Sequence, residues 1–147
     1  MFSDRELIAR LVQCEAGGEG ETGMKAVATV IMNRVNSTMG EYARVSQDGN
    51  IRNIIYQTRQ FNCATETLNG SYNKQNIYNM NPTDIHYEIA DWALSGNKIN
   101  IVGDALWFMN PYSEDCPYEF PYNGSGVLIE RVNNHCFYRP TELYYNT

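Results

Sequence analysis

The chain has 147 residues, a formal net charge of −6 and only 11 lysines and arginines. No basic cluster interleaves with aromatic residues, so nucleic acid is not an expected partner. The longest apolar run, Ala26 to Met32, is far too short to span a bilayer, so no membrane insertion is expected. The length suits a single domain over residues 1–147 that buries a real core.

Ser3 reads as an N-cap, and Glu6 three residues on completes a capping box. This charged, periodic helix begins at once, so the protein is expected to be made without a signal peptide. Ile8, Leu11 and Val12 recur at helical spacing, and the next position on their stripe is Glu15. Gly17-Gly18 then ends the helix. A carboxyl on an apolar stripe at a helix C-terminus is pushed towards its protonated form twice, by burial and by the helix dipole. A carboxylic acid still protonated near neutral pH is what protonation of a glycosidic oxygen needs. The plainer alternative is a helix-end glutamate whose stem packs and whose head reaches water. Glu19 and Glu21 form a short acidic turn that suits the start of a second helix. That helix carries Met24, Val27, Ala28, Ile31 and Val35 on one face, with Arg34 in its last turn, and Glu15 falls at the corner between the two.

Residues 36–50 are rich in polar residues and read as a loop. Ile51, Ile54 and Ile55 suggest a short helix ending near Tyr56, followed by the polar-aromatic segment Thr58 to Asn62. Residues 64–81 read as a long loop of the kind that carries function or moves. Asn81-Pro82-Thr83-Asp84 opens a further helix with Asn81 as its cap. Ile85, Ile89, Trp92 and Ala93 form its buried stripe, and Gly96 closes it. Ala105 to Met109, Val127 to Val132 and His135 to Tyr138 read as strands, with a turn at Asn133-Asn134. The fold class is therefore α+β, a helical body with a small antiparallel sheet. None of Cys14, Cys63, Cys116 and Cys136 forms a CxxC pair, and the two histidines are far apart, so no metal or other cofactor is expected. A Cys116–Cys136 disulfide is possible, and the pairing stays open.

Three chemistries compete. In the first, Glu15 protonates the bridging oxygen of a glycan. If the sugar's own hydroxyl attacks, no second carboxylate is needed. If water attacks, a second acid helps, and Glu19 and Glu21 are nearest in sequence. In the second, Cys14 with His135 or His86 forms a peptidase or amidase, although Cys14 lies near the helix end that disfavours a thiolate. In the third, an aromatic and amide surface holds cell-wall glycan without catalysis, and the 11 tyrosines supply the aromatics.

The segment Leu11 to Met24, continuing to Val27-Ala28 and Asn33-Arg34, resembles the cell wall hydrolases of the SleB/CwlJ family, the spore cortex-lytic enzymes. Tyr56 with Gln60-Phe61 looks like a second motif of that family, Leu106-Trp107-Phe108 with Asn110-Pro111 a third, and His135-Cys136-Phe137-Tyr138 its closing one. Length, together with Asp115-Cys116-Pro117 and His135 to Tyr138, makes the chain most similar to the CwlJ branch. The resemblance implies a lysozyme-like or lytic-transglycosylase-like fold with a groove for peptidoglycan glycan strands. It implies that the substrate is spore cortex with its muramic lactam, degraded during germination, and that Glu15 is the catalytic acid. It further implies that Glu19, Tyr56, Gln60, Phe61, Trp107, Phe108, His135 and Tyr138 contact the substrate. A spore-coat protein would hold the enzyme at the boundary of coat and cortex. A phage or vegetative wall lysin, cytoplasmic until lysis, is the alternative setting.

Overall fold

The computed structural model describes all residues from Met1 to Thr147. Helix α1 (Asp4–Ala16) is capped by Ser3, whose hydroxyl accepts from the Glu6 amide at 3.1 Å. Helix α2 (Gly20–Val35) is the central element. From Met24 to Val35 every residue but Lys25 is buried, so this helix is enclosed on all sides rather than along one stripe. It packs against α1 and against α5 (Asp84–Leu94), and the three helices supply most of a hydrophobic cluster of 34 buried residues. No helix is long and apolar enough to cross a membrane.

Helix α5 starts two residues later than Asn81 suggests. Thr83 is the cap, and its amide donates to His86 Nδ1 at 2.9 Å while its side chain accepts from the His86 amide, a closed capping box. His86 is therefore a helix-start residue. Residues 36–50 hold a short helix, α3 (Gly40–Ser46), in place of the expected loop, and α4 (Ile51–Ile55) follows. Tyr42 on α3 is buried, and its amide donates to Tyr144 Oη at 3.0 Å. Tyr144 belongs to a further short helix, α6 (Glu142–Tyr145), for which the sequence shows no periodic signal.

The segment 64–81 is also structured. Strands β1 (Thr67–Leu68) and β2 (Ser71–Tyr72) pair around Asn69-Gly70, both in the left-handed region at φ 52° and 81°. This is the Asn-Gly hairpin turn. Asn73 Nδ2 donates to the carbonyls of Asn62, Thr65 and Gln75, so amide hydrogen bonds hold the segment where aliphatic packing is sparse.

The second sheet has the order β3-β5-β4, antiparallel throughout: β3 (Trp107–Met109), β4 (Gly126–Val132), β5 (His135–Pro140). Central β5 is buried on both faces along His135 to Tyr138. Gly126 is obligatory, because a Cβ there would lie 2.2 Å from the Phe120 carbonyl oxygen and 2.8 Å from the Trp107 ring. Two disulfides close the structure: Cys116–Cys136 ties the 110–125 loop to β5, and Cys14–Cys63 ties α1 to the turn Asn62–Ala64.

Candidate active site

Helix α1 and helix α2 meet at a corner, and Glu15 projects from the last turn of α1 into a cleft of about 640 Å³. One wall is that corner, from Gln13 to Glu19. A second is formed by Gln60 to Cys63 and the hairpin segment through Asn73 and Gln75, and the third is the sheet end from Phe108 to Tyr112 with His135. Burial raises the Glu15 carboxyl from 4.5 to about 7, against smaller downward pulls from the Cys63 amide and the Arg34 cation. The Cys14–Cys63 bond joins the turn that carries this amide to the helix end that carries Glu15.

Arg34 is 4% exposed and forms no ion pair, and burial lowers its pKa. Its Nε donates to the Leu106 carbonyl at 2.7 Å and its Nη1 to Gln60 Oε1 at 3.3 Å, and the guanidinium lies over the rings of Tyr42 and Phe61 at 4.7 and 4.8 Å. Gln60 Oε1 also accepts from the Tyr42 hydroxyl at 2.7 Å. A positive charge is thus fixed at the cleft floor near the acid.

Glu19 is 9% exposed and its carboxylate is committed. Its Oε1 accepts from the Asn134 amide and meets His135 Nδ1, both at 2.9 Å, while Oε2 accepts from Asn134 Nδ2 at 2.9 Å. The Glu19 carbonyl accepts from Asn133 Nδ2. This cluster fastens the α1–α2 corner to the β4–β5 turn and orients His135, whose ring meets Phe108 edge-on at 5.3 Å. Glu19→Ala should lower stability by about 2–4 kcal/mol, since it leaves buried donors without acceptors. The check is a fall in the urea midpoint at unchanged m-value.

Of the residues singled out from the sequence, Glu15, Glu19, Gln60, Phe61, Phe108 and His135 line the cleft together. Trp107, Tyr138 and Tyr56 do not. Successive side chains of a strand point to opposite faces, so Phe108 towards the cleft turns Trp107 away. Trp107 packs on Tyr42 and Tyr144, and its register partner Tyr138 is fully buried, donating its hydroxyl to the Pro117 carbonyl at 2.8 Å. Tyr56 is exposed, 3.3 Å hydroxyl to hydroxyl from Tyr78. Sequence reasoning missed Arg34 as a cleft residue, along with Asn73, Gln75 and Tyr112. A cation in the last turn of an otherwise buried helix was the available signal for Arg34. The Asn-Gly turn was the signal for the hairpin wall. Cys14 is disulfide-bonded and His86 closes a helix cap, so the cysteine-nucleophile alternative has no thiol there.

Residues 18–138 match the Cell Wall Hydrolase family. The matched span opens after Glu15, so the case for that residue rests on its geometry. The chain is 30% identical to the cell wall hydrolase CwlJ of Bacillus subtilis over 99% of this chain and 94% of that one. It is 26% identical to the CwlJ of Oceanobacillus iheyensis over 92% and 86%. Its fold is similar to the catalytic domain of the germination-specific lytic transglycosylase SleB from Bacillus anthracis, with a TM-score of 0.65 and 23% identity over 94% of this chain and 97% of that one. The SleB catalytic domain of Bacillus cereus gives 0.63 and 25% identity over 95% and 93%. The α+β arrangement expected from the element order, and its lysozyme-like form implied by the family resemblance, are what these domains share. With its central helix, its small antiparallel sheet and a matched span covering most of its length, this chain belongs to the Cell Wall Hydrolase family.

Proposed function

We propose that this protein cleaves the glycan strands of peptidoglycan with Glu15 as the general acid and no second catalytic carboxylate. The observation that carries this is the asymmetry of the two cleft glutamates. Glu19 spends its carboxylate on Asn134 and His135, whereas Glu15 has no side-chain partner and holds its proton up to about pH 7. Protonation of the bridging oxygen by Glu15 breaks the bond between it and the anomeric carbon. The sugar's own 6-hydroxyl then closes on that carbon, and its proton returns to the Glu15 carboxylate. The acid is regenerated and an anhydro sugar is released. The fixed charge of Arg34 steadies the carboxylate between the two proton transfers. The Asn73 and Gln75 amides hold the hairpin wall of the cleft in place, Asn73 Nδ2 on three carbonyls and Gln75 Nε2 on the Cys14 carbonyl at 3.1 Å.

The substrate we infer is spore cortex, degraded during germination, on the likeness to CwlJ and to a germination-specific transglycosylase. The setting is the boundary of coat and cortex, with a coat protein as anchor. Two disulfides and no free cysteine favour a compartment outside the reducing cytosol. The test is mass spectrometry of fragments released from purified cortex and from vegetative sacculi. Anhydromuramic ends are expected. Reducing ends would mean that water attacks, and stem peptides freed from intact glycan would overturn the reading.

A further inference from the structure

Tyr112 stands at the cleft mouth in a conformation its own backbone disfavours. It lines the cleft, is 90% exposed, and its ring makes no aromatic or hydrogen-bonded contact with the rest of the protein. Its φ is 54°, in the left-handed region that glycine occupies freely and a bulky side chain does not. The conformation is held locally: Asn110 Oδ1 accepts from the Tyr112 amide at 2.8 Å. It is also held from behind. The Arg131 guanidinium donates to the Glu114 carbonyl at 2.7 Å, the Tyr138 hydroxyl donates to the Pro117 carbonyl at 2.8 Å, and Cys116 is bonded to Cys136 of β5. A loop fastened at Glu114, Cys116 and Pro117 therefore presents one large, unpartnered ring at a fixed point of the cleft rim. Tyr118 and Tyr122, each 70% exposed on the same loop, lie outside the cleft.

We infer that Tyr112 is a stacking platform for a pyranose ring of the glycan strand, positioned one or more sugars from the bond cut at Glu15. The C–H face of a sugar is apolar and its edges are polar, which suits an amphipathic ring at a wet cleft mouth. A side chain with few rotatable bonds, on a loop already fixed, loses little entropy on binding. Backbone strain at a site that a glycine would relieve points to use of the side chain. The inference rests on the glycan reading above.

The experiment compares Tyr112→Ala, Tyr112→Gly, Tyr112→Phe and Tyr112→Trp on soluble glycan fragments from sonicated cortex. Tyr112→Ala and Tyr112→Gly should raise KM roughly three- to tenfold at unchanged kcat, the worth of one aromatic stacking contact. Tyr112→Phe and Tyr112→Trp should restore KM to within about twofold, because the ring and not the hydroxyl binds. Tyr112→Gly should also melt above the wild type, so binding falls as stability rises, which a merely structural role cannot give. An unchanged KM in Tyr112→Ala, or a Tyr112→Phe as weak as Tyr112→Ala, overturns the platform. Binding of the Glu15→Gln protein to the same fragments, with and without Tyr112→Ala, separates this from the cleavage reading. Equal binding overturns the platform alone, whereas weaker binding in a protein whose wild type releases no fragments retains the platform and overturns glycan cleavage.

Discussion

Glu15→Gln should lower the rate of fragment release by about 10² to 10⁴-fold while leaving the fold intact, the usual loss when a general acid is removed. The substitution keeps the shape of the side chain and removes only its proton donor. The pH behaviour makes the assignment sharper. Wild-type activity should fall as pH rises through about 7, because the acid must be protonated to act. Stability follows the same group. The unfolded chain releases the proton near 4.5 and the folded protein near 7, so folding is most favoured below 4.5 and loses up to about 3 kcal/mol as pH rises through 7. Gln at 15 has no proton to lose. Glu15→Gln should therefore gain stability relative to the wild type between pH 5 and 8, by roughly 1.4 kcal/mol for each tenfold difference in proton affinity that burial creates. Urea midpoints of both proteins across that range check it. Parallel curves would mean that the carboxyl is solvated and titrates normally, which would remove it as the acid.

Breaking Cys14–Cys63 by the double change Cys14→Ser and Cys63→Ser should cost about 4 kcal/mol, since the bridge closes a loop with a sequence separation of 49. For a chain of this size that is roughly a 10 °C fall in Tm. The bridge also holds the Cys63 amide beside Glu15 and anchors the wall that carries Asn73 and Gln75. Activity should drop below what the lost stability alone explains at temperatures where both proteins remain folded. The comparison is kcat/KM at 15–25 °C against the far-ultraviolet circular dichroism melt. A double variant with wild-type kcat/KM would show that the helix end and its wall hold their places without the bridge.

Much of the helical body was legible in the sequence because local rules and burial agree there. The Ser3 cap, the Ile8-Leu11-Val12 stripe and the Gly17-Gly18 break place Glu15 at a helix corner by geometry that needs no distant contact. The sheet was readable for the same reason, since its strands are apolar and Asn133-Asn134 turns between them. The start of α5 was misplaced because Asn81 before Pro82 satisfies the local cap rule, whereas the His86 ring reaching back to the Thr83 amide fixes the cap two residues later. Helices α3 and α6 gave no periodic signal because each is short and gains its burial from the other, through Tyr42 and Tyr144.

The sequence by itself determined the order of the three longest helices and of the main-sheet strands, the α+β class and the placing of one carboxyl on an apolar helix stripe, because these depend on neighbours within a turn or two. Only the tertiary structure decided which glutamate has no side-chain partner. Glu15 and Glu19 are alike in composition and four positions apart, but Glu19 meets Asn134 and His135 from more than a hundred residues away and Glu15 does not. The tertiary structure likewise chose Cys63 as the partner of Cys14, turned Trp107 and Tyr138 into the core and left Arg34 as an unpaired cation under the cleft. Pairings across such distances are set by how the layers close on one another, and no local pattern of residues encodes them.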